Sequence, residues 1–414
     1  MGKRIVPSVV VAAILAFAVA AASIGFVPEI PRLWSAAVAL VVLGGITPLI
    51  YAVNARIVPV FSGRSWPYPL FMYAAMLLAI AGAWLTYLGR ALPSDVLQFA
   101  GASAALNGGL LFVLNVIWLF RSPKTSNATP PLPYPEQAAI DRIGTHFMRL
   151  AGCFLLIGLA VGFVTVVWTP VRGRWDLVWA HLLLVGWFLS MASGVLYHVL
   201  PRWTDARWRH PRLIHAHLIM TLVGLPLMVV ALAFDLYGLF AVAGPLQAAA
   251  LFLFVWNIAP LAWRLPALSR PAVVGAACFL VLGVLLGASV AMDPANHANL
   301  RLAHAQINLF GWAGLLICGV GYYLFPRFAG QPLRWPHLAR LQLGAQLLGV
   351  VVSATAWWWY YAVNTVVEPL ITASAFLMAG SFLTFAVIVG MTFRRSGSTV
   401  TNMTVQPLRP VPRR

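Results

Sequence analysis

The chain has 414 residues, of which 61% are hydrophobic and 9% are charged, whereas an ordinary soluble domain is about 25% charged. This composition excludes a water-soluble globule. The formal net charge of +18 would favour nucleic-acid binding only if the basic residues shared one solvated face. They interrupt long apolar runs instead, so no nucleic-acid partner is expected, and the pattern predicts an all-α membrane protein.

Twelve apolar runs have about the length that crosses a bilayer as a helix. They cover residues 5–27, 34–54, 68–89, 97–120, 147–169, 176–200, 213–234, 236–263, 271–292, 301–325, 338–361 and 368–393. We expect a single transmembrane domain over residues 1–395, with a long polar loop at 121–144 and a basic polar tail at 396–414. The first run is longer than a typical signal-peptide core, so we predict a membrane helix, with a cleaved signal as the alternative.

Lysine and arginine are concentrated on the side of the membrane that holds both chain termini. Only five of the 27 fall on the other side: Arg32, Arg90, Arg172, Arg174 and Arg301. Because basic loops are retained in the cytoplasm, both termini are predicted to be cytoplasmic in a multi-pass protein of the inner (plasma) membrane. Anionic membrane lipid is the expected neighbour of these charges.

An internal repeat relates the sixth and tenth spans. The pattern GWxxxxxxGVxYxxxPR, followed by an aromatic residue, runs from Gly186 to Trp203 and recurs 125 residues later from Gly311 to Phe328. The second span has a weaker trace, since Tyr51 precedes an arginine by five residues, as in the other two copies. Each residue of the pattern has a simple structural explanation on its own. Glycine permits close packing of helices, and aromatic residues are common at the membrane interface. The recurrence at spans two, six and ten predicts three related groups of four helices.

The plan of twelve spans with a repeat at two, six and ten resembles the catalytic subunit of heme-copper oxidases. Residues 304–312, with the sequence HAQINLFGW, resemble the HxHLNxxGW motif of short oxidase-like proteins. Residues 55–61, with the sequence ARIVPVF, are similar to the GRVIPxF stretch of the NnrS family of heme- and copper-containing membrane proteins. The resemblance implies a b-type heme, with copper as a further cofactor, and a role in nitric oxide or respiratory metal handling. CxxCH does not occur, so an electron donor would be another protein or a quinone.

Two histidines are predicted to lie at similar depth near the outer surface. His181 follows the start of the sixth span and His304 the start of the tenth, so each lies roughly 5–8 Å inside the membrane. Both are therefore candidate metal ligands, and His297 in the preceding outer loop is a candidate third donor. Neutral imidazole suits heme iron and copper. The alternative is that each imidazole only hydrogen-bonds a backbone carbonyl near the interface.

An apolar aromatic lining is expected beside these histidines. Trp187 and Trp312 are the predicted cofactor-contacting residues, with Trp179 and Phe310 in the same lining. Such a pocket would suit a porphyrin.

A second group of histidines surrounds the loop between spans six and seven. Its members are His198, His210, His215 and His217. A solvated, arginine-rich surface explains them best, and an inner heme or metal site formed by His198 and His217 is the alternative. His146 and His337 are interpreted as surface residues.

The oxidase pattern is incomplete in this sequence. Residues 33–35 are Leu-Trp-Ser where the pattern has a heme ligand, span seven lacks the paired outer histidines, and Gln306 stands in place of a second histidine in span ten. A working oxygen reductase is therefore not expected. All acidic residues lie at span ends or in loops, which disfavours proton pumping. The alternatives to a heme-binding protein are a degenerate redox enzyme, of the terminal oxidase or nitric oxide reductase kind, and a cofactor-free transporter or scaffold.

Overall fold

The computed structural model describes residues 2–126, 129–168, 173–293, 296–297 and 299–394. Within this part of the chain, twelve helices are long and apolar enough to cross a membrane, which confirms an all-α polytopic membrane fold. They are α1 (Gly2–Ile24), α2 (Arg32–Ser62), α3 (Pro69–Ala91), α4 (Asp95–Arg121), α5 (Gln137–Val167), α6 (Arg174–Thr204), α7 (Pro211–Phe234), α8 (Tyr237–Ala262), α9 (Ser269–Met292), α10 (Leu300–Ala329), α11 (Pro336–Val363) and α12 (Glu368–Arg394). The predicted tail at 396–414 lies outside the described residues.

The long loop is shorter than the sequence predicts. Helix α5 begins at Gln137, so residues 137–144 of the predicted loop are helical. The Tyr134 hydroxyl donates a hydrogen bond to Gln137 Oε1 over 2.8 Å, and partial burial raises the pKa of Tyr134 above its ordinary value. The Arg207 guanidinium lies over the Tyr134 ring, 5.1 Å from its centroid. These contacts hold the end of the loop against the bundle, which extends α5 towards the N-terminus.

The three groups of four helices make equivalent contacts. Within the groups, α3 packs on α4, α7 on α8 and α11 on α12, whereas α1, α5 and α9 pack on the following helix. Between the groups, α4 contacts α5, α8 contacts α9 and α12 contacts α1, so the arrangement closes on itself. The pattern of contacts follows the repeat in the sequence.

The helices that carry the repeat lie at the centre of the bundle. Along their most apolar stretches, 83%, 72% and 89% of the residues of α2, α6 and α10 are buried, against at most 56% in the other nine. A residue in the interior of these three helices therefore faces protein rather than lipid. Polar and aromatic side chains on them form the interior of the protein.

One glycine of the repeat permits close approach of the helix backbones. A Cβ atom on Gly194 of α6 would lie 2.6 Å from the carbonyl oxygen of Gly144 on α5. At the equivalent position of α10, a Cβ atom on Gly319 would lie 2.9 Å from Cβ of Ala272 on α9. The repeat glycine thus has the same packing role in both copies, as small residues have in membrane helix interfaces generally.

Replacing Gly194 by valine is expected to destabilise the bundle by about 1–3 kcal/mol, because the added side chain forces α5 and α6 apart. The measurement is the thermal unfolding midpoint of the purified protein in detergent. Gly152→Val on α5 is the matched control, since no atom lies within 4 Å of a Cβ placed there. Equal midpoints for the two variants would contradict this assignment of Gly194.

Candidate metal centre

Each of the three central helices contains a stretch of π-helix. The stretches are Leu40–Ile46 in α2, Leu182–Leu189 in α6 and Ile307–Ala313 in α10. In α6 and α10 the stretch begins 15 residues before the repeat tyrosine, which is Tyr197 or Tyr322. Short π-helical stretches are rare and frequently occur at functional sites. In α6 and α10 the predicted ligands lie just before these irregular stretches. The backbone geometry therefore favours a functional site there.

His181 is the residue immediately before the π-helical stretch of α6. Its ring is half-buried, and Nδ1 lies 2.8 Å from the carbonyl oxygen of Leu177 on the same helix. A carbonyl oxygen only accepts, so Nδ1 must be the donor in this bond. In the neutral ring, Nε2 then carries the lone pair.

His304 of α10 is held against α9. Its Nδ1 atom donates to the carbonyl oxygen of Gly283 over 2.8 Å, so the lone pair of the neutral ring again lies on Nε2. The ring rests beside Gly287, where a Cβ atom would lie 2.7 Å from the ring carbon Cε1. Glycine at position 287 therefore provides the space that the imidazole occupies.

The structure brings His181 and His304 together. Their ring centroids are 6.5 Å apart and the ring planes are inclined by only 17°. Within the described residues, neither Nε2 atom makes a hydrogen bond. The alternative interpretation, a hydrogen bond to a backbone carbonyl, holds for Nδ1 of each ring. It leaves both Nε2 lone pairs available.

The third predicted donor has different partners. His297 places Nδ1 2.8 Å from the carbonyl oxygen of Ser289 and packs its ring on Tyr361, with centroids 5.4 Å apart. Among the described residues, no group of three or more His, Cys, Asp or Glu side chains is placed to hold a metal ion. In this part of the chain, His181 and His304 therefore lie together as candidate ligands without a third such side chain.

The two predicted tryptophans lie deeper in the bundle. Trp187 is fully buried, its ring packs edge-on against Tyr51 and Phe112, and its Nε1 atom has no hydrogen-bond partner among the described residues. Trp312 packs against Phe188 and against a phenylalanine of α8. They lie six and eight residues beyond the histidines on α6 and α10, within the π-helical stretches of both helices. They form the aromatic interior below the pair.

Nearer the histidine pair, Arg90 of α3 joins three helices. Its guanidinium lies over the Trp179 ring, 5.3 Å from the centroid, and 3.5 Å from a carboxylate oxygen of Asp176. It also donates to the carbonyl oxygen of Ser35 on α2 over 3.2 Å. The first turns of α6, which carry His181, are thereby fixed to α2 and α3.

The alternative inner pair sits in two separate environments. His198 places Nδ1 3.1 Å from Oδ1 of Asp141, which also pairs with Arg202. His217 is 1% exposed and places Nδ1 2.8 Å from the hydroxyl of Tyr197. The interpretation as solvated surface residues is therefore wrong for His217, because it lies on the inward face of α7. The other members of the group, His210 and His215, are exposed, as are His146 and His337.

A repeated hydrogen bond from a tyrosine hydroxyl, not predicted from the sequence, lies further along the two helices that carry the histidine pair. In α6 the Tyr197 hydroxyl meets His217, and in α10 the Tyr322 hydroxyl donates to Gln342 over 2.8 Å. Each partner lies 20 residues after its tyrosine. This equal spacing is the signal that could have assigned His217 to the interior. The third tyrosine, Tyr51, is fully buried, and its hydroxyl has no partner among the described residues.

Comparison with known proteins finds no family model that matches the chain and no curated protein with significant sequence similarity to it.

Proposed function

We propose that this membrane protein binds a metal cofactor between His181 and His304, with heme iron as the first candidate and copper as the second. The observation that carries the proposal is the pair of nearly parallel imidazoles with free Nε2 atoms. The two ring centroids lie 6.5 Å apart, so both imidazoles occupy one small region of the bundle. Neutral imidazole is a ligand of both iron and copper.

The orientation of both rings also suits metal binding. A ligating histidine usually donates its other ring N–H to a carboxylate, a backbone carbonyl or water, which fixes the ring and the tautomer. The carbonyl groups of Leu177 and Gly283 have this role for His181 and His304. These hydrogen bonds would hold both rings in one tautomer, with the Nε2 lone pair free for a metal.

The two histidines fit a heme in their donor chemistry. His181 and His304 would hold the iron through neutral imidazole nitrogens, and glycine at position 287 leaves the space that the His304 ring occupies. A bound heme would supply one-electron chemistry at the iron, and its potential would depend on the ligands and on the buried surroundings. The chain itself would position the iron through His181 and His304.

Copper is the second candidate because the described part of the chain brings together only two ligands. A coordination shell of two imidazoles suits copper(I), and imidazole is a good ligand for copper in general. The donor chemistry of the pair suits either metal. A role in nitric oxide or respiratory metal handling rests on the resemblance to NnrS proteins and heme-copper oxidases.

A visible spectrum and a metal analysis of the protein, purified after expression with heme and copper supplied, test the proposal. A Soret band with about one iron per chain supports heme. One copper per chain without a Soret band supports copper. Absence of both contradicts the proposal and favours a cofactor-free transporter or scaffold.

The glycine beside His304 gives a test that leaves both ligands in place. Gly287→Val is expected to displace the His304 ring and to lower cofactor affinity by roughly 10-fold or more, as loss of ligand orientation does in other metal sites. A titration of heme or copper into the cofactor-free protein measures the effect. Gly275→Val on the same helix is the control, since a Cβ atom there meets only Leu315, at 3.6 Å. Equal affinities for the two variants would argue against a ligand role for His304.

A further inference from the structure

A second feature with the character of a binding site lies at the opposite end of the bundle from the histidine pair. A shallow cavity of about 750 Å³, wide open to the surface, lies between the start of α7 and the side of α8. Its lining residues are Arg209, His210, Pro211, Arg212, Leu213, Leu253 and Trp256. No acidic residue belongs to this lining. We call this the α7–α8 cavity.

The basic side chains of the cavity lack counter-charges. Arg209, His210 and Arg212 are exposed and make no ion pair with any residue of the described chain. Other arginines of the same loop region are engaged, since Arg202 pairs with Asp141 and Arg207 lies over an aromatic ring. The cavity therefore gathers three exposed basic side chains that have no ion-pair partner among the described residues.

The other wall of the cavity is apolar and continues into the membrane. Trp256 is 63% exposed and lies six residues before the end of α8, about 9 Å along the helix. Leu253 lies one further turn from that end. The cavity thus joins a cationic rim at the helix ends to an apolar wall at the depth of lipid chains. Tryptophan is common at this membrane depth, where its amphipathic ring contacts both regions.

We propose that the α7–α8 cavity binds one anionic phospholipid. Arg209, His210 and Arg212 would hold the phosphate of the headgroup, and an acyl chain would lie along Leu253 and Trp256. Basic pockets between membrane helices bind anionic headgroups in this way. A free phosphate ion would gain nothing from the apolar wall, whereas a phospholipid contacts both parts of the cavity. The proposal is independent of the cofactor site.

Native mass spectrometry of the detergent-solubilised protein, titrated with phosphatidylglycerol or phosphatidylcholine, tests this site. The wild type is expected to hold one phosphatidylglycerol in preference to phosphatidylcholine. The double variant Arg209→Gln/Arg212→Gln should bind phosphatidylglycerol about 30-fold more weakly, from the usual contribution of each cation near a membrane surface. Trp256→Ala should weaken binding while leaving the charge unchanged.

The control removes the same charge elsewhere on the basic end. Arg121→Gln/Arg340→Gln changes two exposed arginines that do not line the cavity, and it should leave the first phosphatidylglycerol bound. Equal losses in the two double variants would overturn the proposal in favour of general surface charge. Displacement of phosphatidylglycerol by millimolar inorganic phosphate would overturn it in favour of a soluble anion site. Thermal unfolding midpoints near the wild-type value establish that the variants are folded.

Discussion

The His304→Ala protein is expected to lose the absorption of the bound cofactor, or to bind that cofactor at least 10-fold more weakly than the wild type. Alanine removes one of two Nε2 ligands, and the remaining imidazole of His181 cannot by itself fix the position of the metal. The effect should be large because the described residues offer no third histidine, cysteine or carboxylate to complete a metal site. Optical titration with heme, or metal analysis for copper, measures it.

Free imidazole distinguishes a lost ligand from a damaged fold. The cavity left by His304→Ala lies beside Gly287 and is open enough for the ring that it replaces, so millimolar imidazole should restore part of the absorption. His210→Ala and His337→Ala are the controls, since both histidines are exposed at the basic end and should leave the spectrum unchanged. Wild-type cofactor binding in His304→Ala, at a wild-type melting temperature, would exclude His304 as a ligand.

The second large effect concerns stability at the basic end of the bundle. Asp141 on α5 accepts hydrogen bonds from Arg202 of α6 over 3.2 and 2.7 Å and from Gln137 Nε2 over 2.7 Å, and it lies 3.1 Å from Nδ1 of His198. The two charged side chains are only 12% and 15% exposed. Asp141→Asn leaves the buried guanidinium without a counter-charge and is expected to cost about 3 kcal/mol of unfolding free energy.

The measurement is the unfolding free energy in mixed micelles with increasing denaturing detergent. Removing both charges in Asp141→Asn/Arg202→Met should recover part of the loss, because the unpaired guanidinium is gone. Asp176→Asn is the matched control, since the carboxylate of Asp176 is 42% exposed and 3.5 Å from Arg90, so its loss should cost less than about 1 kcal/mol. A cost for Asp141→Asn no larger than this control would show that the inner ion pair does not stabilise the bundle.

The membrane fold could be predicted from the sequence because a bilayer imposes a simple length rule on apolar runs. The repeat also identified the central helices of the bundle, since α2, α6 and α10 are the most buried. The loop at 121–144 was the largest error in the boundaries. Residues 137–144 are polar enough to be assigned to a loop, yet Gln137 and Asp141 hydrogen-bond to residues of α6, and these tertiary contacts extend the helix.

The position of the candidate site could be predicted from the sequence, but its detailed geometry could not. Depth from the helix start predicted that His181 and His304 lie near each other, because each follows the start of its span by a few residues. Parallel helices then place them at similar, though not identical, heights. The orientation of the rings could not be predicted from the sequence, since it depends on the π-helical stretches and on backbone carbonyls of α6 and α9. His217 was assigned to the surface because it lies near a loop rich in basic residues. Its burial depends on which face of α7 packs against Tyr197, and the sequence does not show this.

The most direct test of the central claim compares two double variants for cofactor stoichiometry. The account predicts that His181→Ala/His304→Ala holds no bound heme or copper, while His198→Ala/His217→Ala, which removes the inner pair, holds the wild-type amount if it remains folded. Iron and copper analysis of both proteins, with an absorption spectrum of each, decides the question. Wild-type stoichiometry and spectrum in His181→Ala/His304→Ala would contradict the claim and would assign any cofactor to another part of the chain.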